Sequence, residues 1–125
     1  EELVYGKALK GYTFTTLHNS STFECLCYCH HKLRCQSYNY VIKDNICEIN
    51  NRTKEAKPEN FVSDSERFYK KRGAHRVILG STSILPAQSC DEIKISEGRD
   101  AVNGNWRLSN PNGTEEAILT YCDMN

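Results

Sequence analysis

No apolar run in this chain approaches the length needed to span a bilayer. Neither sign of charge is in excess: 16 Lys and Arg stand against 16 Asp and Glu, which leaves no whole-chain field to steer nucleic acid or an anionic membrane. No internal repeat or low-complexity tract is visible, so solenoids and disordered tails are not indicated. The sequence shows no secretory leader at Glu1. With the cysteine content described next, the chain is expected to be a mature or excised sequence whose leader is gone.

Cysteine is what the chain has in abundance: 7 in 125 residues, five of them between Cys25 and Cys47. Such density in a small chain points to disulfide staples and an oxidising, extracellular setting. Modules of this size bury little apolar surface, so cross-links are expected to carry much of their stability. Three Asn-x-Ser/Thr sequons, at Asn19, Asn51 and Asn112, add weight to secretion and to glycan on surface loops.

Periodicity gives a helix and a small antiparallel sheet. Tyr12 to Leu17 alternates as a half-buried strand. Ser21-Thr22-Phe23-Glu24 fits a capping box and opens a helix running to about Lys32. Ser37 to Ile42 and Ile46 to Ile49 read as strands joined by a Lys43-Asp44-Asn45 turn, with a last strand at Phe68-Tyr69. A break is expected near 73–87, where Lys70-Lys71-Arg72-Gly73 is followed by Gly80-Ser81-Thr82-Ser83 and Pro86-Ala87-Gln88-Ser89. Between them Val77-Ile78-Leu79 is a short strand or a docking segment. Beyond the break, turn-rich stretches bracket Trp106-Arg107-Leu108, and Ala117 to Tyr121 reads as a strand. This second region is expected to be a hairpin closed by Cys90 and Cys122, with Trp106 as its anchor. The fold class is therefore α+β.

Helix geometry constrains the sulfurs. Cys25 and Cys29 are i and i+4, so both can face the sheet. Cys29 can bond to Cys35 just past the helix end, and Cys25 to Cys47 on the returning strand. Each bridge contributes on the order of 2–4 kcal/mol if unstrained. Cys90 and Cys122 are the remaining distant pair. Cys27 is left over, about 200° from Cys25 and about 40° from Phe23 around the helix. It is either a partly buried thiol or the site of an interchain disulfide.

Residues from about Leu9 to Arg72 resemble a PAN/apple domain. The resemblance rests on Leu9-Lys10-Gly11-Tyr12-Thr13-Phe14, Glu24-Cys25 and Cys29, Cys35-Gln36-Ser37-Tyr38-Asn39-Tyr40, Cys47-Glu48-Ile49-Asn50-Asn51, Pro58-Glu59-Asn60-Phe61 and Phe68-Tyr69. It implies the two helix bridges named above. The outer, third bridge of apple-type members has no counterpart here. Residues from about Ser89 to Asn125 resemble the opening segment of a fibrinogen-like C-terminal domain, through Ser89-Cys90-Asp91-Glu92-Ile93 and Tyr121-Cys122-Asp123-Met124. That resemblance implies a Cys90–Cys122 bridge and nothing about a calcium site or ligand pocket. The organisation expected is a PAN/apple-like domain over 1–72, a linker over 73–87 and a fibrinogen-like N-terminal subdomain over 88–125.

PAN/apple resemblance implies a secreted, non-enzymatic module that binds an extracellular protein or glycan. The alternative is a structural subunit that assembles with itself through Cys27 or unpaired strand edges. No cofactor, nucleic acid or membrane span is expected. A thiol-protease trio of Cys27, His30 and Asp44 lacks a preorganised pocket. Zinc binding by Cys27, Cys29, His30 and His31 is opposed by ligands that diverge on one helix and by oxidised thiols. Two basic stretches are candidates for an anionic glycan: His30, His31, Lys32 and Arg34, and then Arg67, Lys70, Lys71, Arg72 and Arg76. A solvated surface and a basic linker is the plainer account of both. Tyr12, Tyr38, Tyr40 and Tyr69 fit core and cross-strand packing better than a sugar platform.

Overall fold

A computed structural model describes residues 3–73, 75–110 and 116–125. The chain divides into two compact units, Glu1–Arg76 and Val77–Asn125.

The first unit is a five-stranded antiparallel sheet with one helix on one face. Its elements are β1 (Leu3–Leu9), β2 (Thr13–Leu17), α1 (Thr22–His31), β3 (Ser37–Val41), β4 (Ile46–Asn50) and β5 (Phe61–Lys71). The spatial order is β1-β5-β3-β4-β2, so β3 is central and β1 and β2 are edges.

The capping box opens α1: Glu24 N donates to Ser21 Oγ at 3.1 Å and Ser21 N donates to Glu24 Oε1 at 2.8 Å. Two orphan donors of the first turn are thereby satisfied, and the helix start is fixed. Cys25 bonds to Cys47 on β4 and Cys29 to Cys35 after the helix, so α1 is covalently held over β3 and β4. Around these bridges Tyr38, Tyr40, Ile49 and Phe68 form the buried core, flanked by Phe14, Leu17 and Tyr28.

All five residues of β3 are buried, because both faces of the central strand are covered. Polar groups on the far face are therefore paired. Asn39 Nδ2 donates to the Leu9 carbonyl at 2.7 Å and its Oδ1 accepts from Leu9 N at 2.9 Å, so one side chain clamps the end of β1. Ser37 Oγ donates to the Arg52 carbonyl at 2.7 Å, and Tyr69 Oη accepts from Lys54 N at 3.0 Å, which seats the segment after β4 on that face. Burial pushes the Tyr69 hydroxyl up to about 12.

The edge strand β1 was not expected. Its register with β5 shifts between Tyr5 and Lys7, at Gly6, whose φ of 76° suits glycine. Gly6 and Lys7 interrupt the alternation that would have marked a strand. The expected last strand at Phe68-Tyr69 is the second half of the longer β5.

The second unit holds α2 (Cys90–Glu97) and a hairpin of β6 (Gly104–Leu108) and β7 (Ile118–Cys122). The expectation of a hairpin alone is corrected by α2, which Ser89 caps by accepting from Glu92 N at 3.1 Å. Cys90 at the start of α2 bonds to Cys122 at the end of β7. Of residues 73–87, expected as linker, 77–87 fall within the second unit and are partly packed into it. Leu79, Leu85 and Ala87 are buried, Leu79 N donates to Glu97 Oε2 at 3.2 Å, and Ala87 N donates to the Arg107 carbonyl at 3.0 Å. Val77-Ile78-Leu79 forms no strand. Trp106 is buried and its Nε1 donates to the Val102 carbonyl at 3.0 Å.

Candidate functional site

An open cleft runs between α1 and the β1–β5–β3 part of the sheet. Alternation along the strands builds one wall. The pairs Leu3↔Lys70, Tyr5↔Phe68 and Tyr38↔Lys70 place these five side chains on the face that carries α1. The helix supplies the other wall through Phe23, Leu26 and His30, at i, i+3 and i+7 on one stripe. The disulfides hold α1 over β3 and β4, so β5 and β1 extend beyond its cover.

The cleft has two halves. The aromatic half, about 470 Å³, is lined by Tyr5, Phe23, Tyr38 and Phe68 with Leu3 and Leu26. The basic half, about 300 Å³, adds His30, Lys71, Arg72 and Gly73. Leu26, Tyr38 and Lys70 line both halves, so the two are continuous. Concave sites of this size, mostly apolar with a few polar groups, are the usual form of a ligand site. Phe23 is 71% exposed and Tyr5 67%, far more than a packing role requires, and they form the lip. Tyr5 lies 5.4 Å from Phe68, and Tyr40 stacks on Phe68 at 5.4 Å, so the cleft floor is aromatic surface. Burial pushes the Tyr38 hydroxyl up to about 12, and at neutral pH it stays protonated.

The expected basic stretches divide. His30, Lys70, Lys71 and Arg72 come together at one end of the cleft. Lys71 Nζ also pairs with Glu55 at 3.3 Å. His31 is exposed, with its ring 5.7 Å from that of His30. Lys32 lies 5.2 Å over the Tyr28 ring and Arg34 lies 4.8 Å over Phe14, so neither lines the cleft. Arg67 faces away from the cleft, in a bidentate pair with Glu48 at 3.0 Å and a contact with Asp64 at 2.8 Å. Arg76 donates to Gln36 Oε1.

Arg72 is the clearest correction. It was a candidate for an anionic glycan, with a solvated surface as the plainer account, but the residue is only 9% exposed. Its guanidinium donates to the carbonyls of Lys32 at 2.6 Å and His30 at 2.9 Å, which terminates α1 with a cation where the helix dipole favours one. Burial, and then the charge of Arg76, push its pKa down from the usual arginine value.

The remaining candidates lie apart. Cys27 is half-buried on α1 and is the free cysteine. Asp44 sits exposed in the β3–β4 turn, while Cys27 and His30 are on the helix. Cys29 is oxidised, and among the described residues no group of three or more His, Cys, Asp or Glu is arranged to hold a metal. Asn19 is exposed in a left-handed turn with φ 54°. Asn51 is half-buried, its Oδ1 is buried without a partner, and Thr53 of the same sequon is fully buried. Asn112 lies outside the described residues.

Residues 1–73 match the PAN domain. The chain belongs to the PAN domain family. Domains of this family bind proteins or carbohydrates, so a general binding role follows for this one. A comparison with curated proteins finds no match. The aromatic lip was not foreseen from sequence. The apolar Leu3-Val4-Tyr5 triplet was its available signal, but a cleft wall needs β1 to be recognised as a strand first.

Proposed function

We propose that this PAN-family chain is a secreted, non-enzymatic recognition or adhesion module, and that its protein or carbohydrate ligand seats in the cleft between α1 and the sheet. The observation that carries the reading is the pair of outward-facing aromatic side chains, Tyr5 and Phe23, at the mouth of a continuous apolar-to-basic cleft. Exposed aromatic surface of this kind is characteristic of binding sites rather than of a free-standing surface. Three disulfides and the exposed sequon at Asn19 support an extracellular, glycosylated setting. The second unit we read as the N-terminal subdomain of a fibrinogen-like domain, on the residues at its two ends.

The experiment is a paired screen of the intact chain and its Tyr5→Ala/Phe23→Ala variant on a glycan array and a panel of purified extracellular proteins. Ligands retained by the wild-type chain and lost by the variant support the cleft. Ligands retained equally by both place recognition elsewhere.

A second reading is self-assembly in a matrix or filament. It is favoured by the free thiol of Cys27 and by β1 and β2 as unpaired edges. Sedimentation at high concentration, with and without reductant, tests it: a monomer under both conditions removes it.

A further inference from the structure

Arg72 forms part of the wall of the basic half of the cleft, yet no carboxylate among the described residues pairs with it. Its Nη atoms are taken up by main-chain carbonyls, and its Nε is buried with no acceptor. Carbonyl dipoles at a helix end offset only part of a full charge. A buried charge without a paired counter-charge is costly, and structures normally pair or neutralise it. None of the described residues lining either half of the cleft is acidic. Lys70 adds to the cationic character of the same end. Among the described residues, the other end is aromatic and carries no charge apart from Lys70 at the junction.

We propose that the cleft takes an extended protein segment that places an apolar or aromatic side chain against Tyr5, Phe23 and Phe68, and a carboxylate side chain at the Arg72 end. The proposal rests on the cleft being the binding site, and it names the ligand class. From Phe68 to Arg72, the residue after β5, is four residues of extended chain, or about 13 Å at the rise of a strand. An extended peptide covers that distance in three to four residues, which sets the spacing between anchor and acid. Charge complementarity favours this occupant over a neutral peptide, and the apolar half favours it over a uniformly sulfated sugar, which would leave the aromatic lip unused.

The test is an NMR titration of the intact oxidised chain with the hexapeptide acetyl-SFSGES-amide at low salt. Its controls are the SFSGQS and SASGES twins and a sulfated heparin disaccharide. The expected result is perturbation of amides at Leu26, Tyr38, Lys70 and Gly73, with both twins binding at least tenfold more weakly. Lys70→Gln should weaken SFSGES about tenfold and leave SFSGQS unchanged. Arg72→Gln should do the same if it folds, and the Lys70 variant decides the matter if it does not. Equal binding of the acid and its amide twin overturns the proposal, as does absence of any shift. Perturbation by the disaccharide alone also overturns it, by assigning the basic end to an anionic glycan. Such a failure leaves the cleft itself in place if the Tyr5→Ala/Phe23→Ala screen still loses its ligand.

Discussion

The guanidinium of Arg72 donates to the main-chain carbonyl of His30 across 2.9 Å, joining the residue after β5 to the last turn of α1. A further bond to the Lys32 carbonyl at 2.6 Å makes Arg72 the C-terminal cap of the helix, supplied from 40 residues away. The helix wall of the cleft is therefore held at its start by the Ser21–Glu24 box and at its end by a side chain from beyond the sheet.

Arg72→Ala should accordingly destabilise the first unit by about 2–4 kcal/mol, through loss of charge-assisted bonds and exposure of unpaired buried carbonyls. Arg72→Lys should recover only part, because an ammonium cannot bridge two carbonyls in a planar fork. Urea unfolding followed by far-UV circular dichroism measures both.

The two bridges of α1 should differ in worth. Cys25–Cys47 closes a separation of 22 residues and Cys29–Cys35 only 6. Loop-closure entropy puts their contributions at about 3 and about 2 kcal/mol. Paired Cys→Ala variants in urea titrations should rank in that order. The Cys25/Cys47 pair should also loosen the cleft, since that bridge holds α1 over β4.

The helix and strands β2, β3 and β4 were legible because their signals are local. The Ser-x-x-Glu box, the i, i+4 cysteines and the aromatic alternation of Ser37–Val41 each act within a few residues. What escaped the sequence depends on distant partners. Lys70-Lys71-Arg72-Gly73 reads as a charged, exposed break, and only the approach of the α1 carbonyls makes Arg72 a buried cap. β1 was hidden by Gly6, where the chain bulges, and with it went the Leu3–Tyr5 wall of the cleft. α2 had a readable signal in Ser89 and Glu92, three residues apart. Glu92 instead accepts from Gln88 N at 2.7 Å, and the hairpin expectation overrode it.

Acid should weaken the far face of the sheet. The hydrogen bond from Lys10 at 2.7 Å is the largest cause that lowers the Asp64 carboxyl to about 2 from 3.8, with Arg67 adding to it. The folded value lies below the unfolded one, so this stabilisation is fully present above about pH 5 and is lost as pH falls through 4 toward 2. The network is partly exposed, and its worth is about 1 kcal/mol after solvent screening. Asp64→Asn should remove that amount at pH 7 and flatten the stability profile between pH 4 and 2. Thermal melts across that range read the difference.

The sequons should be used unequally. Asn19 projects from an exposed turn, whereas Asn51 and Thr53 are built into the packed segment after β4, where Thr53 Oγ1 accepts from Ala56 N at 3.3 Å. Expression in a secretory host followed by enzymatic deglycosylation in heavy-oxygen water and peptide mapping should show high occupancy at Asn19 and little at Asn51.

The location of the ligand site is tested most directly by photo-crosslinking. A benzophenone amino acid replaces Phe23 at the cleft lip in one sample and Ile42, exposed in the turn after β3, in another. Each is irradiated with a ligand recovered from the paired screen. Covalent capture from position 23 and none from position 42 is the predicted result. Capture from position 42 with none from position 23 would contradict the assignment of recognition to the cleft.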